Sequence, residues 1–190
     1  KKVTAIDICE LLRAELVLIV GAMDCYLHDV VCNHMHEIIT NPNSTSEELP
    51  HNLANYKMPL ESFKDLYDAK TQEAKEALLL KYLRQTLHKY SFESEQTINY
   101  AMSYIGVKHL WGSVANRMHS DTETIQKQVA IIVHRRNVIA HQADIADYVK
   151  TEKQEIFPND VDGVKKFIIN FTHAIDAEIL QQTTGGKDTK

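Results

Sequence analysis

From Ile6 to about Ile39 the chain runs without a proline and with a single glycine, and apolar residues recur at Leu12, Leu16, Ile19, Met23, Leu27 and Val30. Their spacings of 4, 3, 4, 4 and 3 are those of one face of an α-helix. Leu18 and Val20 add apolar side chains on other faces, so this reads as a long helix covered on several sides. Glu15 and Asp24 are then conspicuous acids in or near a buried stretch. A helix of this length leaves little room for a β-rich fold. Six Gly and four Pro in 190 residues leave few breakers anywhere else.

The remaining segments follow the same period. Asn41-Pro42-Asn43 opens a loop, and the polar stretch to Lys57 reads as exposed and mobile. Pro59 suits the first turn of a short helix through about Lys70. Thr71 to about Lys89 forms another, and Ser94 starts one through Ile105 that Gly106 stops. Ser120 with Glu123 has capping-box spacing, and Ile125, Val129, Ile132, Arg136 and Ile139 follow at helical intervals. Asn159 or Asp160 is placed to cap a last helix with Val161, Val164, Ile168, Phe171, Ile175 and Ile179 on one face. No strand signal competes. The expected fold is all-α, a helical bundle of about four to six helices with a long N-terminal helix, in one domain over residues 1–182. A disordered tail is expected over 183–190.

Composition narrows the function. The net charge is −5, from 21 basic and 26 acidic residues, which argues against a broad basic surface gripping nucleic acid by counterion release, so any polyanion site must be local. The longest apolar run, Leu16 to Met23, is eight residues, where a membrane span needs about 20. The chain begins Lys1-Lys2-Val3 without a Met, as a fragment would. Three cysteines, Cys9, Cys25 and Cys32, all fall in the first helical segment, too far apart along it to bridge. Reduced thiols, and hence a cytoplasmic setting without membrane association, are the expectation.

Cys25, His28, Cys32 and His36 share a helical face, yet eleven residues of helix rise about 16 Å, so at most an adjacent pair such as His28 and Cys32 could meet one metal ion. No metal or cofactor is expected. There is no glycine-rich phosphate loop, no Gly-x-Ser-x-Gly elbow and no His-Glu-x-x-His helix. Phosphate-loop enzymes, dinucleotide oxidoreductases and the common hydrolases drop out at the level of motif.

The segment Ile131 to Gln142, IIVHRRNVIAHQ, holds the densest run of reactive side chains: His134, Arg135, Arg136, Asn137 and His141. On a helix, Asn137 and His141 lie one turn apart on one face, where the amide could orient the imidazole. Arg136 stands about 140° away, so that only its long side chain could share a ligand with His141. An arginine fork suits a phosphate, and an imidazole moves protons near neutral pH. Together they fit metal-free phosphodiester chemistry. The spacing alone is weak support, since five Arg and ten His produce about 0.26 such pairs by chance. A basic helix end also stabilises the macrodipole by about 0.3–1 kcal/mol without any function.

Arg136-Asn137-Val138-Ile139-Ala140-His141 resembles the motif of the HEPN superfamily: Arg, a polar residue, and His after a short spacer. The stretch AELVLIVGAMDCYLHDVV and the segment around Trp111 are similar to the HEPN subgroup associated with RiboL-PSP, so the likeness runs from about Ile6 to Ile179. The resemblance implies a metal-independent endoribonuclease in which two protomers face their motifs into one cleft. Arg136 would stabilise phosphate charge, His141 would act as base or acid, and Asn137 would orient the imidazole or phosphate. Arg135 and His134 would contact RNA. The products would be a 2′,3′-cyclic phosphate and a 5′-hydroxyl. A homodimer acting as a toxin or antiviral defence effector is implied, with an antitoxin or other defence protein as a possible partner. Relatives silenced by modification carry a Tyr two residues after the histidine; here that position is Ala143, so such silencing is not expected. Other members are non-catalytic modules that bind RNA or protein. A plain interaction bundle whose basic helix end compensates a dipole would keep the fold without the chemistry.

Overall fold

The first helix, α1 (Ala5–Thr40), is the long element that the breaker-free stretch predicts. The computed structural model describes residues 5–43, 45–147 and 152–184. The buried face of α1 is Leu16, Val20, Met23, Leu27, Val31 and Met35. Leu18 stands in solvent, which corrects the expectation that the middle of this helix is covered on several sides.

Two compact units divide the chain, one formed by residues up to Met23 together with those from His109, the other by Asp24–Lys108. In the second unit, the latter part of α1 is followed by a 3-10 turn (Ser46–Glu48) and α2 (His51–Ala54). Then come α3 (Leu60–Asp68), α4 (Gln72–Leu87) and α5 (Glu95–Tyr104). Thr71 caps α4 by accepting from the Ala74 N–H, and Ser94 caps α5 by accepting from the Thr97 N–H. Gly106 ends this helical stretch at φ +77, and a Cβ there would meet Pro50 Cγ at 3.3 Å. A side chain there would be strained by the left-handed backbone and would press on Pro50, so glycine is favoured at that turn. The segment expected to be exposed and mobile is partly tied down: Leu53 is buried, and the Asn52 amide donates to Ser103 Oγ.

The first unit pairs the start of α1 with α6 (Leu110–Arg117), α7 (Thr122–Gln142), two short strands, β1 (Ile145–Asp147) and β2 (Glu152–Lys153), and α8 (Pro158–Thr184). Ile125, Val129 and Ile132 of α7 are buried, as are Val161, Ile168, Phe171, Ile175 and Ile179 of α8, the face that periodicity marks. Trp111 and Phe171 rings lie 5.6 Å apart and join α6 to α8. Glu178 of α8 is buried beside Arg117, whose Nη2 lies 3.1 Å away, and accepts from the Gln182 amide at 2.7 Å.

Burial pushes the Glu178 carboxyl up, but hydrogen bonds from Gln182, Arg117 and Ser113 outweigh it and leave the group below the usual glutamate value. A carboxyl depressed in the fold adds stability above its unfolded pKa of about 4.3, and that stability is lost as pH falls through the lower folded value. Glu178→Gln should therefore cost stability at neutral pH. The gap to the parent should close in acid, as read from urea midpoints across a pH series. A gap that widens in acid would contradict this sign.

Three boundaries differ from those read off the sequence. The cap of α7 is Asp121, which accepts from the Thr124 N–H at 2.8 Å, and not Ser120. His119 just before them has φ +53, which shifts the helix start by one residue. At α8, Pro158 occupies the first helical position, and Asp160 reaches back to accept from the Phe157 N–H at 3.1 Å. Asp160 thus serves from inside the helix instead of as its cap. The helix continues through Thr183 and Thr184, where a disordered tail was expected, and 185–190 lie outside the described residues. The strand pair, Ile145 opposite Lys153 and Asp147 opposite Glu152, is too short to leave a two-residue period in the sequence. Eight α-helices are present among the described residues, more than the four to six expected because α2 and α6 are too short for periodicity to reveal.

Candidate active site

The last two turns of α7 carry the Arg136 to His141 motif. His141 is exposed and Asn137 half-buried, and at 100° per residue they stand about 40° apart on one face. His134 is exposed as well, seven residues before His141, about 20° from it in azimuth and about 10 Å away along the axis. Two imidazoles and an amide therefore share an outward face. Arg135 and Arg136, both half-buried, flank that face on opposite sides at about 120° and 140° from His141. Among the described residues no hydrogen bond joins Asn137 to His141.

Beyond Gln142 the chain turns sharply. Ala143 (φ +52) and Asp144 (φ +61) both adopt the left-handed conformation, an unusual pair for residues with a Cβ. Both N–H groups point to the Val138 carbonyl, Asp144 at 3.2 Å. The Asp144 side chain is fully buried. Arg13 of α1, itself buried, donates from Nε to its Oδ2 at 2.7 Å, and Arg135 Nη2 donates to the same oxygen at 2.9 Å. Arg135 Nη1 lies 2.8 Å from Oδ1. The segment after β2 closes over this cluster. The Gln154 carbonyl accepts from Arg13 Nη2 at 2.6 Å and the Glu155 carbonyl from Arg135 Nη2 at 3.1 Å, while the Gln154 N–H donates to the Asp144 carbonyl at 2.8 Å.

Sequence reasoning missed Arg13 and Asp144. Their positions are 131 apart in the chain, so no local spacing relates them. The one available signal was a carboxylate three residues beyond a basic helix end. Arg135, expected at RNA, has most of its guanidinium taken up by Asp144 and Glu155, and its side chain retains 20% exposure.

The other acids and metal-type residues have structural places. Asp24 Oδ1 accepts from the Phe92 N–H at 2.6 Å, Asp29 pairs with Arg84 at 3.1 Å, and Glu15 lies 3.8 Å from Lys165. His28 is buried and stacks on Phe92, ring centroids 4.1 Å apart. Its Nδ1 faces the Asp24 carbonyl at 2.8 Å, and its Nε2 faces the carbonyls of Leu87 and Tyr90 at 3.2 and 3.0 Å. Neither nitrogen is turned toward Cys32. That thiol is buried, and desolvation pushes it up to about 11, so it stays protonated at neutral pH. Among the described residues no three His, Cys, Asp or Glu side chains converge to hold an ion. A groove of about 530 Å³ includes Arg117, His119, Asn170 and His173 in its lining, none of them motif residues. Among the described residues no helix is long and apolar enough to cross a membrane.

No curated protein and no solved structure matches the chain significantly. A long N-terminal helix, an all-α fold and a helix ending in Arg136-Asn137 and His141 agree with a match that covers nearly the whole chain, residues 4–181, to the family described as RiboL-PSP-HEPN, to which this protein therefore belongs.

Proposed function

We propose that the protein is an HEPN endoribonuclease that cleaves RNA without a metal ion. The observation that carries this reading is the exposed His141 one turn from Asn137, on a helix that also presents Arg136. In this reading His141 takes the proton of a ribose 2′-hydroxyl, and the 2′-oxygen attacks the adjacent phosphorus. The bond from phosphorus to the 5′-oxygen breaks, and that oxygen is protonated as it leaves. Arg136 stabilises the charge gathering on the phosphoryl oxygens, and Asn137 orients the imidazole or the phosphate. The ends left behind are a 2′,3′-cyclic phosphate and a 5′-hydroxyl. His134 contacts the RNA strand from the same face, and Arg135 contacts it only through the part of its guanidinium that Asp144 leaves accessible.

A base and an acid must act on opposite sides of the phosphorus, and a single α7 offers one motif histidine. The proposal therefore includes a two-fold homodimer in which a second α7 supplies the other imidazole. A cytoplasmic toxin or antiviral effector, held in check by an antitoxin or another defence protein, is the proposed context. A second reading, a non-catalytic module that binds RNA or protein, is favoured by the net charge of −5 and by the engagement of Arg135 with Asp144.

Incubating the purified protein with RNA in EDTA separates the two. Cleavage that survives chelation and leaves cyclic phosphate ends, detected by mass, is the expected result. RNA bound but uncut favours the module, and activity that vanishes on chelation and returns with magnesium overturns the mechanism. Dilution tests the dimer, since specific activity should fall as light scattering reports monomer.

A further inference from the structure

We infer that Asp144 is a positioning residue for His141, acting through a two-arginine clamp that holds the last turn of α7. This rests on the nuclease reading only for its catalytic consequence. A helix ends with carbonyls that lack partners inside it, so its last turn frays unless something caps it. Glycine normally supplies the left-handed cap. Here two non-glycine residues, Ala143 and Asp144, adopt that conformation in succession, which local preference disfavours. What holds them is the fully buried Asp144 carboxylate between Arg13 and Arg135, together with the hydrogen bond from the Gln154 N–H to the Asp144 carbonyl.

The clamp joins the start of α1 and α7 at the Asp144 carboxylate, and the segment after β2 is tied in through the two arginines and the Asp144 backbone carbonyl. His141 lies three residues before Asp144, inside the turn that the clamp closes. Its own side chain is exposed, and among the described residues nothing comparable fixes it. The place of the imidazole is therefore set by the backbone that carries it. A proton-transfer group is sensitive to such support, because a displacement of about 1 Å can cost about 100-fold in rate.

The experiment uses the full chain with Asp144→Asn, Asp144→Glu and Arg135→Met. The last keeps Arg13 on Asp144, so it serves if Asp144→Asn does not fold. Amide exchange should accelerate about tenfold or more over residues 139–144 and stay unchanged over 122–132. The His141 imidazole resonances should shift or broaden while those of His119 and His173 do not. With RNA, kcat of Asp144→Asn should fall about 100-fold with KM within about twofold, and Asp144→Glu should recover part of the loss; Arg135→Met is read by exchange and resonances alone, because in the nuclease reading Arg135 also contacts RNA. Exchange that rises equally along all of α7, or does not rise at 139–144 in folded Asp144→Asn or Arg135→Met, would overturn the clamp. A parent protein that cleaves no RNA would count against the nuclease reading alone, because the exchange and resonance measurements do not depend on activity.

Discussion

His141→Ala is expected to lower RNA cleavage by about 10²–10⁴-fold, the range associated with loss of a positioned acid or base. Stability should change by no more than about 0.5 kcal/mol, as for most surface substitutions. The two effects separate because the imidazole is exposed and, among the described residues, lies outside the core. Loss of a basic group from the last turn of α7 removes part of a favourable dipole interaction, which is within the same small figure. His134 shares the face but sits about 10 Å further back along the axis, too far to take over a proton transfer at the same phosphate. Arg136→Lys should also be badly impaired, since an ammonium keeps the charge and loses the planar fork. Initial rates on a labelled RNA, beside urea melts of both variants, check the pair. A His141→Ala protein with parental activity and a parental melt would remove His141 from the chemistry.

How much of this was legible beforehand follows from the range of each interaction. The faces of α7 and α8 were readable because a 3.6-residue period is written in consecutive residues, and the structure buries Ile125, Val129 and Ile132, then Ile168, Phe171 and Ile175. The motif was readable for the same reason, since Arg136, Asn137 and His141 are neighbours on one helix. Caps were legible only to within a residue or two, because Ser120 and Asp121 are both good caps and the left-handed His119 decides between them. Nothing local could show that Arg135 is turned to a buried carboxylate rather than left to solvent. That depends on Arg13, brought to the end of α7 by tertiary structure.

Arg13→Met tests that long-range contact and should be among the most destabilising single changes in the first unit, about 3 kcal/mol. Methionine retains much of the aliphatic stem, so little packing is lost. What is lost is the guanidinium that donates to Asp144 at 2.7 Å and to the Gln154 carbonyl at 2.6 Å, in a place where neither arginine nor aspartate reaches water freely. Removing one member of a buried ion pair typically costs about 3–5 kcal/mol, because the other charge stays buried. Arg135 remains beside Asp144, which places the expected value at the lower end. Combining Arg13→Met with Asp144→Asn should cost clearly less than the sum of the two single changes, since the second removes the charge that the first leaves stranded. A coupling of about 1–3 kcal/mol is expected for residues in direct contact. Urea denaturation of the four proteins closes the cycle. Single changes within about 0.5 kcal/mol of the parent, with additive effects, would mean that this pair contributes no more than an exposed salt bridge. In that case the left-handed turn after His141 is held by its backbone hydrogen bonds to Val138 and Gln154 alone.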